Sequence, residues 1–188
     1  MIGRFQPLSA SGPSVKTWFL IALSGETLLE ELSSFLEKAT RVVVVGVGSD
    51  LRGDDAVGVE MVRRLRGRIR FPNVLMIEGG AAPENFTSQI RRFKPSHIVI
   101  LDAIDFQARP GDVILADPEA IAGRSFSTHT VPLSLLAGYL KEQTGARIIL
   151  LGIQPGEIGP GSRMGEAVKA SMEKVLEILT EKLSLISK

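Results

Sequence analysis

The chain has 188 residues, of which 44% are hydrophobic and 23% charged, with no cysteine and two histidines. This length is typical of one domain with a single substantial core. The net charge is +1, so neither a nucleic acid nor a membrane is expected as a partner. The absence of cysteine excludes disulfides, thiolate catalysis, iron–sulfur clusters and cysteine-bound zinc. Any metal must therefore be bound by carboxylates, backbone oxygens or histidine.

The first 40 residues are expected to form a flexible leader and an extra helix. Residues 1–17 contain glycine and proline without hydrophobic periodicity, whereas leucines at helical spacing predict a helix over Glu26–Lys38. The apolar stretch Trp18–Leu23 is too short to span a bilayer and too short for a usual signal peptide. We therefore expect a cytoplasmic protein with a single α/β domain over residues 41–188.

Strand and helix patterns alternate along that domain, which predicts an α/β layered sheet. The β-branched run Arg41–Val45 is typical of a central parallel strand covered on both faces. The stretch Gly111–Leu115 alternates more and is expected at an edge of the sheet, where it could run antiparallel. The other predicted strands are Val74–Ile77, His97–Leu101 and Arg147–Leu151, and the predicted helices begin near Asp54 and cover Pro83–Phe93, Pro132–Lys141 and Val168–Leu183.

Carboxylates and glycines follow the predicted parallel strands at their carboxyl ends, where open α/β sheets bind ligands. Asp55 follows the first strand and Asp102 ends the third, so we expect both at one edge of the sheet. His129 precedes a predicted helix, from which it could reach the same edge. His97 opens the strand that Asp102 ends, so it is expected roughly 16 Å away and in a structural role.

Each of these residues also has a structural interpretation. Aspartate is a favoured N-cap residue, and Asp54 is a better candidate for that role than Asp55. Asp102 could simply accept hydrogen bonds from loop N–H groups, and a lone loop histidine such as His129 is ordinarily a surface residue. Together, however, two carboxylates and one imidazole match an open site for a divalent metal. The spacing alone does not decide between these interpretations.

The loop after the first strand also suggests a dinucleotide site, but the pattern fails. A G-x-G-x-x-G fingerprint needs glycine at the position of Leu51. The acidic residues of the loop would repel a pyrophosphate at the helix N-terminus. A nucleotide-binding, Rossmann-like enzyme is therefore the less favoured alternative.

Five ordered motifs carry a family resemblance. They are Gly46-Val47-Gly48 with Asp54-Asp55, Glu78-Gly79-Gly80, Leu101-Asp102-Ala103, Thr128-His129, and Gly152-Ile153-Gln154. In this order they resemble the motifs of the [NiFe]-hydrogenase maturation endopeptidases. The resemblance is strongest to the branch that processes the large subunit of formate-hydrogenlyase-type and related membrane-bound hydrogenases. It covers roughly residues 41–183, and Ser49 and Glu78 stand where the family usually has Asn and Asp.

The resemblance implies a twisted, mostly parallel five-stranded sheet between helices. It also implies that Asp55, Asp102 and His129 are both the metal-contacting and the catalytic residues, with Asp54 and Glu78 as weaker candidates for support. Members of the family remove a C-terminal extension from the [NiFe]-hydrogenase large-subunit precursor after nickel insertion. We thus expect a nickel-dependent, aspartic or metal-assisted endopeptidase whose nickel arrives with the precursor. The alternative is a metal-sensing module that binds the same precursor without cutting it.

Overall fold

The computed structural model describes residues 23–119 and 133–186. Its strands are β1 (Val42–Val47), β2 (Val74–Gly80), β3 (His97–Ala103), β4 (Val113–Ala116) and β5 (Arg147–Ile153). Its helices are α1 (Gly25–Leu36), α2 (Val57–Arg68), α3 (Thr87–Phe93), α4 (Leu133–Thr144) and α5 (Glu166–Ile186). Short 3₁₀ turns, Gly53–Ala56 and Pro83–Phe86, lead into α2 and α3.

The strands form one five-stranded sheet in the order β2-β1-β3-β5-β4. β1 pairs in parallel with β2 and β3, and β3 pairs in parallel with β5. β4 lies at the edge and runs antiparallel to β5. The predicted α/β sheet, mostly parallel with one antiparallel edge strand, is confirmed.

Helices cover both faces of this sheet. Successive valines of β1 point to opposite faces, and Val44 packs with α1, α2 and α5 whereas Val43 packs with α3 and α4. Both residues are fully buried. An uninterrupted apolar run is therefore required in β1, because neither of its faces contacts water.

Helix α1 belongs to the larger of the two apolar layers. Its Leu32 and Phe35 are buried in the cluster that also contains residues of α2 and α5. Ser24 caps the helix, its hydroxyl accepting a hydrogen bond from the N–H of Thr27 at 3.3 Å. The predicted extra helix is thus present, while the flexible leader over 1–17 lies outside the described residues and the division at residue 41 stays a prediction.

Several elements differ from their predicted bounds. β2 continues three residues beyond its predicted end and β5 continues two, because glycines there still pair with neighbouring strands, as Gly152 does with Asp102, and β5 then ends at Ile153. The predicted helix over Pro83–Phe93 is a 3₁₀ turn followed by α3, with the proline at the start of the turn. No helix in the described ranges is long and apolar enough to cross a membrane.

Candidate functional site

Asp102 lies near the carboxyl end of β3, in the middle of the sheet. It pairs in register with Gly152 of β5, and its side chain is completely buried. Its Oδ1 accepts a hydrogen bond from the N–H of Ala103 at 2.9 Å. This hydrogen bond from a neighbouring N–H is the contact that a purely structural role of Asp102 predicts. The carboxylate nevertheless lies at the carboxyl end of the sheet, where ligands bind in such folds.

Asp55 lies on the 3₁₀ turn that follows β1, and this turn packs against β3. Its side chain is 2% exposed, and its Oδ2 accepts a hydrogen bond from the N–H of Ser49 at 2.9 Å. The chain bends tightly here at Gly48, which has a φ of +126° and where a Cβ would lie 1.8 Å from the carbonyl oxygen of Asp55. Ser49 takes part in this contact through its backbone N–H, a group that asparagine at this position would also supply.

A second close approach brings the start of α2 onto the sheet. A Cβ on Gly58 would lie 2.2 Å from the carbonyl oxygen of Leu101 and 2.4 Å from that of Val47. Helix α2 therefore sits directly on the backbones of β1 and β3. The 3₁₀ turn before it contacts β3, so Asp55 and Asp102 lie on elements that pack against each other at the carboxyl end of the sheet.

Asp54 does not cap a helix, so the N-cap prediction is wrong. Neither the 3₁₀ turn nor α2 has a side-chain cap hydrogen bond. The buried carboxylate of Asp54 instead accepts the N–H groups of Gly156 and Glu157 at 2.8 and 3.0 Å, and that of Gly165 at 2.6 Å. The carboxylate therefore binds the loop that follows β5.

Glu78, at the end of β2, forms ion pairs with Arg63 and Arg66 of α2. Arg63 also pairs with Asp50 at 2.8 Å. Hydrogen bonding and the positive charge of Arg63 lower the pKa of Asp50 below its ordinary value, and the same contacts with Asp50 and Glu78 raise the pKa of Arg63. Glu78 thus helps to fix α2 beside the loop that contains Asp50, and its role in supporting the predicted metal site stays a prediction.

The buried Gln154 organises the loop after β3, a role that the sequence patterns do not indicate. Its Oε1 accepts the N–H groups of Phe106 and Ala108 at 2.9 and 3.1 Å, and its Nε2 donates to Asp105 Oδ1 at 3.1 Å. These bonds fix the loop after β3, directly beyond Asp102. The available signal was a polar amide placed immediately after a buried strand, since such a group must find partners when it is buried.

Of the two histidines, the structure describes His97 alone. His97 is buried at the start of β3, at the opposite end of that strand from Asp102, as predicted. Burial, and next the positive charge of Arg147, lower the pKa of His97 to about 4. Its ring packs edge-on against Phe35 with centroids 5.2 Å apart. His129 lies outside the described residues, and within those residues no group of three histidine, aspartate or glutamate side chains is arranged to hold a metal.

Comparison with known proteins decides the family. The model of the HycI family, described as hydrogenase maturation protease, matches residues 59–182, more than half of the chain. The chain belongs to the hydrogenase maturation protease family. It is 36% identical over 138 residues to the hydrogenase 3 maturation protease of Escherichia coli, and the matched region covers 73% of this chain and 87% of that protein. Membership in this family makes the protein a hydrolase of the protease class.

Solved structures of hydrogenase maturation proteases have the same fold. The crystal structure of the [NiFe] hydrogenase maturation protease HycI from Thermococcus kodakarensis is similar with a TM-score of 0.78 and 40% identity, covering 82% of this chain and 99% of that one. The solution structure of the endopeptidase HycI from Escherichia coli is similar with a TM-score of 0.66 and 35% identity, covering 73% and 87%. The branch to which this hydrogenase maturation protease belongs stays a prediction.

Proposed function

We propose that the protein is a nickel-dependent endopeptidase that removes the C-terminal extension of a [NiFe]-hydrogenase large-subunit precursor after nickel has been inserted. Asp55, Asp102 and His129 are the residues assigned to contact the metal and to act in hydrolysis. The observation that carries this proposal is the placement of two buried carboxylates, Asp55 and Asp102, on elements that pack against each other at the carboxyl end of the sheet. Family membership supports the reaction class.

The donors of this chain fit a metal that arrives with the substrate. Two buried carboxylates at the same end of the sheet supply negative charge that a divalent cation would offset. Carboxylate oxygen, with an imidazole from His129, is a suitable donor set for a divalent metal. The chain has no cysteine, so thiolate ligands of the nickel would belong to the precursor.

In this mechanism the chain orients its carboxylates and provides a site for proton transfer. The N–H groups of Ser49 and Ala103 hold Asp55 and Asp102 in fixed orientations, which limits the reorganisation needed during the reaction. When bound, nickel supplies positive charge that stabilises the negative charge developing on the scissile carbonyl oxygen. A carboxylate at this edge can accept the proton of the attacking water and return it to the departing amine.

The proposal is tested by incubating the protein with nickel-loaded and nickel-free precursor and measuring C-terminal trimming by mass spectrometry. We expect trimming of the nickel-loaded precursor only. We also expect Asp102→Asn and His129→Ala to abolish trimming. Asp117→Asn is the matched control, and trimming should persist in this variant. Asp117 directly follows β4, at the end of that strand remote from the carboxyl end of β5, and its carboxylate accepts the N–H of Glu119.

Four outcomes contradict parts of the proposal. Trimming of nickel-free precursor refutes recognition through nickel. Normal trimming by Asp102→Asn refutes the assignment of the site. Binding of nickel-loaded precursor without trimming supports the alternative, a metal-sensing module, and thermal stabilisation by NAD or ATP would support a nucleotide-binding protein instead. A cytoplasmic location stays a prediction.

A further inference from the structure

The loop between β5 and α5, residues 154–165, is attached to the turn that carries Asp55. The attachment is made by the adjacent residue, Asp54, which is 1% exposed. Its Oδ2 accepts the N–H groups of Gly156 and Glu157, and its Oδ1 accepts that of Gly165. Hydrogen bonds to a charged acceptor are stronger than those between neutral groups, so these contacts hold both ends of the loop.

Backbone contacts reinforce this attachment. The N–H of Asp54 donates to the carbonyl oxygen of Glu157 at 3.0 Å, and the N–H of Gly161 donates to the carbonyl oxygen of Leu51 at 2.8 Å. The segment from Leu51 to Asp54 is therefore fixed along its length by the β5–α5 loop. The same segment connects Ser49 to Asp55, the two residues joined by the hydrogen bond described above.

The geometry of a 3₁₀ turn links the directions of neighbouring side chains. With about three residues per turn, adjacent side chains point roughly 120° apart. Asp54 is directed to the β5–α5 loop, and Asp55 is directed back to the N–H of Ser49. Because the turn has four residues, a rotation that moves Asp54 also moves Asp55.

We propose that Asp54 is a positioning residue of the active site, whose carboxylate locks the β5–α5 loop onto the 3₁₀ turn and thereby sets the orientation of Asp55. This inference rests on the proposed function, because it assigns Asp55 to the reaction. Asp54 itself does not touch the substrate in this scheme. It acts through the orientation of its neighbour.

Asp54→Asn is the most direct perturbation. An amide has nearly the shape of a carboxylate, but one of its two acceptor oxygens is replaced by an NH₂ donor. In either orientation of the amide, at least one of the N–H groups of Gly156, Glu157 and Gly165 then faces another donor. The variant removes acceptor capacity without changing side-chain volume.

Amide hydrogen exchange, measured by NMR on the full chain, tests the positioning step without any substrate. We expect Asp54→Asn to accelerate exchange at Gly156, Glu157 and Gly165, and also at Ser49, by about tenfold or more. The Ser49 amide reports the Asp55 contact and is not bonded to Asp54. Faster exchange in the loop with unchanged exchange at Ser49 overturns the proposal, because Asp54 would then hold the loop only. Asp117→Asn is the control and should alter none of these amides.

Kinetics on nickel-loaded precursor provide the second readout. We expect the kcat of Asp54→Asn to fall by about tenfold to a hundredfold while KM changes by less than about threefold, because misplacement of a reacting group lowers the rate of the chemical step. A rise in KM alone overturns the proposal. If Asp54→Asn does not fold, Asp54→Glu moves the carboxylate by one methylene, and unchanged exchange at Ser49 in that variant also overturns it.

The two proposals fail in different ways. If the wild-type protein does not trim the precursor, the proposed function fails, whereas exchange at Ser49 still decides whether Asp54 orients Asp55. If the wild-type protein trims the precursor and Asp54→Asn does so at an unchanged rate, the positioning role fails and the endopeptidase activity stands.

Discussion

Replacing Gly58 with alanine tests the contact that seats α2 on the sheet. The added Cβ would lie 2.2 Å from the carbonyl oxygen of Leu101 and 2.4 Å from that of Val47. Both oxygens belong to the backbones of central strands, so neither can rotate away as a flexible side chain would. The beginning of α2 must move away from β1 and β3 to relieve the clash.

The expected change in the free energy of unfolding follows from two opposing effects. Since real Cβ contacts are essentially never below 3.0 Å, the helix must move by about 0.8 Å, and overpacking of this kind costs about 1–3 kcal/mol. Alanine regains up to about 1 kcal/mol of helix propensity relative to glycine. Because two backbone atoms clash at once, we expect a cost near the upper end and a net loss of about 2 kcal/mol in the free energy of unfolding.

Urea unfolding followed by circular dichroism measures this loss, provided that the m value is unchanged. Gly67→Ala is the matched control, because Gly67 lies in the same helix and a Cβ there meets nothing within 4 Å. The control should gain about 0.5–1 kcal/mol. Equal stability of the Gly58→Ala and Gly67→Ala variants would refute the argument that close backbone contact seats α2.

Three further predictions use the same assay. Leu32→Ala should lower the free energy of unfolding by about 2–5 kcal/mol, because Leu32 is fully buried where α1 joins the core, and an unchanged midpoint would mean that α1 does not stabilise the domain. The free energy of unfolding should fall by at most about 3 kcal/mol as the pH is lowered from 6.5 to 4, because the unfolded chain protonates His97 in this range whereas the folded chain, in which the pKa of His97 is about 4, keeps the ring neutral. His97→Gln should flatten this part of the stability curve. An unaltered slope would contradict the assignment of this pH dependence to His97. Glu173→Gln should lower the free energy of unfolding by less than about 1 kcal/mol, and by less still in high salt, because the ion pairs of Glu173 with Arg64 and Arg68 are exposed. A larger loss that does not depend on salt would show that these ion pairs are not screened by solvent.

The sequence determined the layered fold through hydrophobic patterning. The run Val42–Val45 is apolar at every position, which is required of a strand covered on both faces, and the structure places β1 between β2 and β3. The shorter segment that forms β4 lies at the edge as predicted, although its four residues are all apolar and buried. These features are encoded locally, because the burial of each face of a strand depends on the residues of that strand.

The placement of Asp55 and Asp102 at one edge could also be predicted, because parallel strands bring their carboxyl ends together. The ends of β2 and β5 could not, since Gly80 and Gly152 carry no side chain and lie in strands through backbone pairing, and β5 continues past Gly152 to Ile153. Backbone hydrogen bonds do not depend on the side chain, so a search for apolar residues ends such strands too early.

Only the tertiary structure decided the role of Asp54. An aspartate before a helix is favoured as a cap because its carboxylate accepts nearby N–H groups, and the same chemistry suits any set of N–H donors. The donors that Asp54 uses belong to Gly156, Glu157 and Gly165, about one hundred residues further along the chain. Local sequence determines that a carboxylate seeks donors, whereas the packing of two distant loops determines which donors it meets.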